Sequence, residues 1–406
     1  MVAPNRHLFL LLVIALLLRL AWALSQHNAP DPRLGDQADY VQIGRNLLTH
    51  GEFKTHDARF DQDAYASRPP GYPLLVAACG GNVRIVRIVQ AILDTATVLA
   101  IYLLARRFLD LRPSLIAAAF VAFNPFLIYF TGLILTETLF TAMLAWGMYL
   151  LTDRRRGPAI GGLLLLSLSA LVRPSGLGLV IVLAAAAAWK DGWPAIAKNT
   201  ALAALLTLLV LFPWAYRNAH HPQVQYWIWT TTAGGITTYD GFHDRATGAS
   251  DQQGFVDQLR TPLSRMDEVE RDAFLAQQAH EWIRTHPGRS LALMLNKIAR
   301  TWSPIPLSNE YGSNKLYVAV GLLYSLPFDL LILLGLWKSG FPRSVKVFLI
   351  LPAIYFTLIH ALSVGSLRYR IPVEPPMAVL AGAGVYSALS ARRHGPTNGP
   401  SRRKSG

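Results

Sequence analysis

The sequence predicts an all-α polytopic membrane protein of about ten transmembrane helices. Three observations carry that prediction. Only 15% of the 406 residues are charged, whereas a soluble domain carries about 25%. Hydrophobic residues make up 52% of the chain, and its mean hydropathy is +0.31. The apolar residues cluster in blocks of about 20, separated by charged or Pro/Gly-rich breaks, which is the length that crosses a bilayer as helix. Disordered, collagenous and disulfide-stapled classes are excluded by these numbers, and Cys79 is the only cysteine. Ten-residue alternation of the kind a membrane β-barrel needs is missing.

The candidate spans are 7–24, 84–105, 113–131, 135–151, 158–171, 174–189, 197–213, 316–337, 345–363 and 371–390. The fifth and sixth meet at Arg173-Pro174, a tight hairpin. Arg106, Arg107, Arg112, Arg154, Arg155, Arg156, Lys190, Lys198, Lys338, Arg343 and Lys346 flank alternate turns and fall on one side. The positive-inside rule makes that side cytoplasmic, so the net charge of +14 is read as loop charge and not as a nucleic-acid footprint. Both termini are then cytoplasmic, and 391–406 reads as a disordered basic tail. Residues 1–390 form one membrane domain. The loops 25–83 and 214–315 are extracytoplasmic and hold most of the acidic residues. Arg6, the apolar stretch after it and Ala21-Trp22-Ala23 also resemble a signal peptide, but removing it spoils the charge pattern.

In the first long loop, Tyr40, Val41, Ile43, Leu47 and Leu48 recur at helical spacing and Gly51 suits a C-cap, so an interfacial helix is expected there. Asp36 falls at its N-cap, with Asp39 three residues on, on the same face. Capping explains Asp36 as readily as chemistry does; the chemical reading is a base or a metal ligand at the membrane surface. Arg68-Pro-Pro-Gly-Tyr-Pro73 follows, in which paired prolines hold Arg68 at headgroup depth. His56, Asp57, Asp61 and Asp63 match no metal-binding spacing and read as a solvated loop.

Together, Gly-Asp36-Gln-Ala-Asp39-Tyr40 and Arg68-Pro-Pro-Gly-Tyr72-Pro resemble the GT-C membrane glycosyltransferases, in the branch of the protein O-mannosyltransferases and aminoarabinose transferases. Thr136-Glu137-Thr138, Leu171-Val-Arg173-Pro174, Pro213-Trp214-Ala-Tyr-Arg217-Asn218 and Arg368-Tyr369-Arg370-Ile-Pro372 extend the resemblance along most of the chain, in order. Asp36 is followed by Gln37 where some mannosyltransferases carry Asp-Glu, and the large C-terminal soluble domain of some relatives is missing.

The resemblance implies an integral-membrane enzyme that moves a hexose or pentose from a polyprenyl-phosphate donor to a lipid, glycan or protein acceptor. Inversion at the anomeric carbon is implied, in a cytoplasmic (inner) membrane with the site facing outward, as in lipopolysaccharide or cell-envelope glycosylation. Within that frame Asp36 is the candidate base, supported by Asp39, with Glu137 as a further catalytic carboxylate. Arg68, Arg217, Arg368 and Arg370 fall at the outer boundary and are candidates for the donor phosphate. Tyr40, Tyr72, Trp214 and Tyr369 are candidates to line the substrate cavity. The residues fix no cofactor; if the enzyme uses a divalent cation, Mg²⁺ or Mn²⁺, Asp36 and Glu137 are its candidate ligands.

In the second long loop, Gly234-Gly235 and Tyr239-Asp240-Gly241 read as turns. Asp267–Thr285 and Arg289–Trp302 read as amphipathic helices, and Tyr226, Trp227 and Trp229 as an interfacial belt. Asp94 and Asp329 inside spans read as interhelical polar contacts, and His360 as structural. The rival function is a transporter or flippase of a lipid-linked or anionic substrate, which calls for inverted repeats and polar groups at the midplane. No duplicated half is visible, and the polar residues collect at the outer surface.

Overall fold

The computed structural model describes residues 5–27, 29–30, 35–307 and 313–393. The first apolar block forms α1 (Arg6–Ser25), capped by the Asn5 side chain. The first long loop then contributes the amphipathic α2 (Gly35–Thr49), the antiparallel strands β1 (Thr55–Asp57) and β2 (Gln62–Ala64), and α3 (Gly71–Ala78). The chain reverses after α2 through Gly51, whose φ of +69° is open to glycine but strained for other residues.

The bundle continues through α4 (Val83–Ala105), α5 (Leu111–Ala122), α6 (Pro125–Thr131), α7 (Glu137–Leu151), α8 (Arg156–Ser169), α9 (Leu177–Ala187) and α10 (Trp193–His220). The second long loop is helical: α11 (Gly234–Gly241), α12 (Gln252–Leu263), α13 (Glu268–Thr285) and α14 (Pro287–Thr301). It leads into α15 (Lys315–Lys338), α16 (Arg343–Ala361) and α17 (Glu374–Arg393). All ten expected blocks are helical, and the chain is a multi-pass helical membrane protein.

The spans differ from the expectation in length. Among the described residues, only α1, α4, α10, α15 and α16 are long and apolar enough to cross a membrane unaided, and the pair α5–α6 makes a sixth, bent by 49°. The expected continuous span 113–131 breaks because Asn124 caps Phe126 and Leu127, and Pro125 opens a new helix. Helices α7, α8 and α9 have 15, 14 and 11 residues. They bury their apolar faces against neighbours in one large core. Two segments read as turns in the sequence form α11, and α12 and the β-hairpin were not expected. Asp267 caps α13 in a reciprocal capping box with Glu270. Residues 391–393, expected in a disordered tail, close α17; the rest of that tail lies outside the described residues.

Small residues allow α15 and α17 to touch along their backbones. A Cβ on Gly335 would collide with the Leu380 carbonyl, and one on Gly384 with that of Leu331. Arg19 and Asp94 tie α1 to α4. Their ion pair is 2.6 Å long, and Arg19 also donates to the Val121 and Ala122 carbonyls at the end of α5. Both side chains are fully buried. Asp94→Ala is expected to cost about 3–5 kcal/mol, because it strands a buried guanidinium, whereas Arg19→Leu with Asp94→Leu restores most of the loss. Unfolding titrations in micelles check the difference.

On the loop face, the Lys297 ammonium of α14 is buried against the Phe242 ring at 3.2 Å, without a hydrogen-bond partner. Burial pushes its pKa down from 10.5 to about 7. The fold thus prefers the neutral amine. The cost is absent above pH 10.5, grows as the pH falls, and is complete below about 7. Lys297→Met should raise Tm most near pH 6, by a margin that vanishes toward pH 10, in melts scanned across pH.

Candidate active site

A cavity of about 1910 Å³ opens between the bundle and the two long loops. It exceeds the roughly 300–1,000 Å³ of a drug-sized site. Its bundle-side wall is largely apolar, with Phe126, Ile128, Leu133, Leu177, Val320 and Ile359; its loop-side wall carries hydroxyl, amide and charged groups.

Helix α2 brings Asp36, Asp39 and Tyr40 to this cavity, since positions i, i+3 and i+4 share a helical face. Its other face is pinned: Gln37 is fully buried, and its Oε1 accepts from the Ile134 backbone N–H at 2.7 Å. Asp36 sits in the first turn of α2, after Gly35, and not at the expected N-cap. It keeps the favourable dipole position but turns its carboxylate outward to arginines.

Arg68 donates to Asp39 Oδ2 through Nε at 3.0 Å and Nη2 at 2.7 Å, and Nη2 also lies 2.7 Å from Asp36 Oδ1. The other oxygen of Asp36 accepts from Arg368 Nη1 at 3.0 Å. Arg368 Nε donates to Glu137, whose Oε1 also lies 3.1 Å from Arg173 Nη1. The six side chains form one alternating row: Asp39, Arg68, Asp36, Arg368, Glu137, Arg173. Tyr369 closes its end, stacked on His360 at 3.9 Å and 5.6 Å from the Arg173 guanidinium.

The row separates the two aspartates electrically. Burial on its own would raise the Asp36 pKa, but Arg68 and Arg368 outweigh it and hold the carboxyl below the usual range. Burial raises Asp39, against Arg68 and with help from Asp36. Burial also pushes Tyr40 up to about 12, so its hydroxyl stays protonated. A base of raised pKa is thus not what Asp36 provides; it is a carboxylate kept ionised.

Six of the eleven candidate residues from the sequence line the cavity: Asp36, Asp39, Tyr40, Arg68, Arg368 and Tyr369. Glu137 stands just behind, 1% exposed, and acts on the cavity through Arg368 and Arg173. The other four lie elsewhere. Arg370 is buried and donates to Glu374 Oε1 at 2.7 Å and Ser325 at 2.6 Å, joining α17 to α15. Arg217 donates to the Tyr65 and Phe53 carbonyls and ties the end of α10 to the first loop. Tyr72 donates to Gln90 at 2.6 Å inside the core, and Trp214 to the Thr230 carbonyl at 2.9 Å. These positions share the sequence character of cavity residues but face the opposite way. Arg173, by contrast, belongs to the site without having been chosen for it; the sign was an arginine before proline at a turn between apolar blocks.

A divalent cation does not suit this donor set. Asp36 and Glu137 share Arg368 between them, Asp36 holds Arg68 and Glu137 holds Arg173. A metal would enter among three guanidiniums. Among the described residues, no group of three or more His, Cys, Asp or Glu side chains is placed to hold a metal ion.

Residues 68–217 match the family model described as dolichyl-phosphate-mannose-protein mannosyltransferase. Two solved structures of an oligosaccharyltransferase from Archaeoglobus fulgidus superpose on the chain. The first is AglB with an inhibitory peptide and a dolichol-phosphate, at TM-score 0.54, 14% identity and 98% coverage of this chain. The second is the apo form, at TM-score 0.55, 14% identity and 96% coverage. The chain has the GT-C fold. It spans about half of each oligosaccharyltransferase chain, 52% in both. ArnT from Cupriavidus metallidurans bound to undecaprenyl phosphate aligns over 95% of this chain and 79% of its own, at 14% identity and TM-score 0.41. No curated protein matches the sequence. The family match begins at Arg68 and takes in Glu137 and Arg173, so half of the charged row lies inside it.

Because the row is continuous and its Glu137–Arg173 end is buried, its members should be coupled. Arg173→Ala or Glu137→Gln alone is expected to cost about 3 kcal/mol. The double variant should cost little more than either, giving a coupling energy above about 1 kcal/mol in a double-mutant cycle of unfolding free energies.

Proposed function

We propose that this protein transfers a sugar from a polyprenyl-phosphate donor to an acceptor hydroxyl, with inversion at the anomeric carbon. The supporting observation is the alternating carboxylate–guanidinium row at the edge of a cavity with one apolar and one polar wall. A polyprenyl chain needs the apolar wall, and its phosphate needs fixed cations at the boundary. The dolichol-phosphate carried by the AglB structure supports the same class of donor. The Arg-rich turns support an orientation of the cavity toward the exterior of a cytoplasmic membrane, by the positive-inside rule.

In this reading Arg68 and Arg368 turn from Asp36 to the donor phosphate. The bond between the anomeric carbon and the phosphate oxygen breaks, and the electron pair leaves with the polyprenyl phosphate, where the two guanidiniums stabilise the developing charge. Asp36, released from its ion pairs, accepts the proton of the acceptor hydroxyl as its oxygen bonds to the anomeric carbon. A single displacement inverts the configuration. Asp39 holds Arg68, and Glu137, itself fixed by Arg173, holds Arg368 in place between turnovers. No step uses a metal.

The test is transfer of radiolabelled sugar from a panel of polyprenyl-phosphate sugars to a membrane extract. Wild type is expected to turn over, Asp36→Asn to lose at least about 100-fold in kcat, and a chelator to leave the rate unchanged. Full activity in Asp36→Asn removes that residue from the chemical step. Chelator-sensitive turnover reinstates the metal. Donor translocation in vesicles without sugar release replaces the enzyme reading by a flippase.

A further inference from the structure

The mechanism uses Asp36, Asp39 and Arg68 of the loop-side wall and leaves the rest of that wall without a task. On that wall the β-hairpin and the start of α12 place three planar polar groups together. Arg59 faces Asp57 fork to fork, Nε to Oδ1 at 2.9 Å and Nη2 to Oδ2 at 2.7 Å. Arg59 Nη1 donates to Gln252 Oε1 at 2.5 Å, across 193 residues of sequence. All three side chains line the main cavity, and all three also line a smaller side pocket that shares Asp36, Asp39, Ser67 and Arg68 with it. Arg59 remains 29% exposed, which leaves N–H donors turned to the cavity. Thr237 and Ser67 add hydroxyls beside them.

We propose that Asp57, Arg59 and Gln252 form the subsite that reads the ring hydroxyls of the donor sugar. The proposal rests on the donor reading above and assigns its polar half. A pyranose or furanose presents adjacent hydroxyls that each donate and accept. A rigid carboxylate–guanidinium pair offers acceptors and donors at matching spacing, and the amide offers both. The position fits, because this group sits beside the Asp36–Arg68 end of the charged row, where the sugar follows directly on the phosphate. Arg59 and Asp57 lie two residues apart on a hairpin, and Gln252 opens a helix in the other loop. The subsite is therefore completed only when the two loops close together. A site that hydrogen-bonds a sugar discriminates strongly against a ligand lacking it, because its own groups would be left unpaired.

The experiment measures binding of bare polyprenyl phosphate and of its mannosyl, glucosyl and aminoarabinosyl phosphodiesters to the full chain in nanodiscs. In wild type, at least one sugar is expected to tighten binding about 10-fold over the bare lipid phosphate. Arg59→Ala and Gln252→Ala should erase that gain while leaving the affinity for bare polyprenyl phosphate intact, which also shows that the variants are folded. Arg59→Lys, which keeps the charge and loses the fork, should recover only part of it. The subsite is overturned if no sugar improves on the bare lipid phosphate in wild type, if the variants keep the full gain, or if they lose affinity for both ligands equally. Failure of bare polyprenyl phosphate to bind wild type is a different result: it overturns the donor reading itself, and the subsite with it.

Discussion

Three carboxylates and three guanidiniums in one unbroken row are the constraint around which the rest of this structure is arranged. Each interior member touches two opposite charges, so each is offset twice in a region where a lone charge would be prohibitively costly. Such a row has no local solution. Asp36 and Asp39 come from α2, Arg68 from the proline segment after the hairpin, and Glu137 from the start of α7. Arg173 comes from the turn after α8, and Arg368 from the turn before α17. The bundle has to bring five separate stretches of chain to one boundary.

Several features make sense as means to that end. Gln37 bonds the backbone before α7 and so places α2 beside Glu137. Glu268 of the second loop accepts from the Tyr65 and Ala66 backbone N–H groups and from Thr232, holding the approach to Arg68 from the other side. Arg217 does related work from the end of α10. The break between α5 and α6 brings Asn124 to Glu374, and Glu374 holds Arg370. That second buried pair anchors the base of the very turn that carries Arg368. Residues that resemble substrate ligands in the sequence are, in several cases, the supports of those that line the cavity.

Much of this was legible along the chain, and the reason is periodicity. Apolar blocks declare helices whatever they pack against, so all ten were foreseen, and the amphipathic spacing after Asp267 foretold α13. Asp36 and Asp39 were legible as one face for the same reason; that Tyr40 joins them at the cavity was not, because its spacing placed it in the apolar stripe. Legibility failed where a local signal has two meanings. Asn124-Pro125 inside an apolar block hid a break, and Gly234-Gly235 looked like a turn but begins α11. Arg368 and Arg370 lie two residues apart in a single motif, yet one faces the cavity and the other Glu374.

The sequence by itself determined the class: a helical membrane chain with two polar loops on one face, an acidic amphipathic helix in the first, and arginines at the boundary. Those properties follow from hydropathy and spacing, which act over a few turns of chain. Only the tertiary structure decided which charges meet. Pairing depends on side chains up to 332 positions apart, as in Arg368 and Asp36, and no local pattern encodes such a contact. It also decided that Asp36 is held ionised by two arginines, and that Arg217, Arg370, Tyr72 and Trp214 brace the site from outside the cavity. A side chain's sign and size are written in the sequence; the direction it faces is set by what packs behind it.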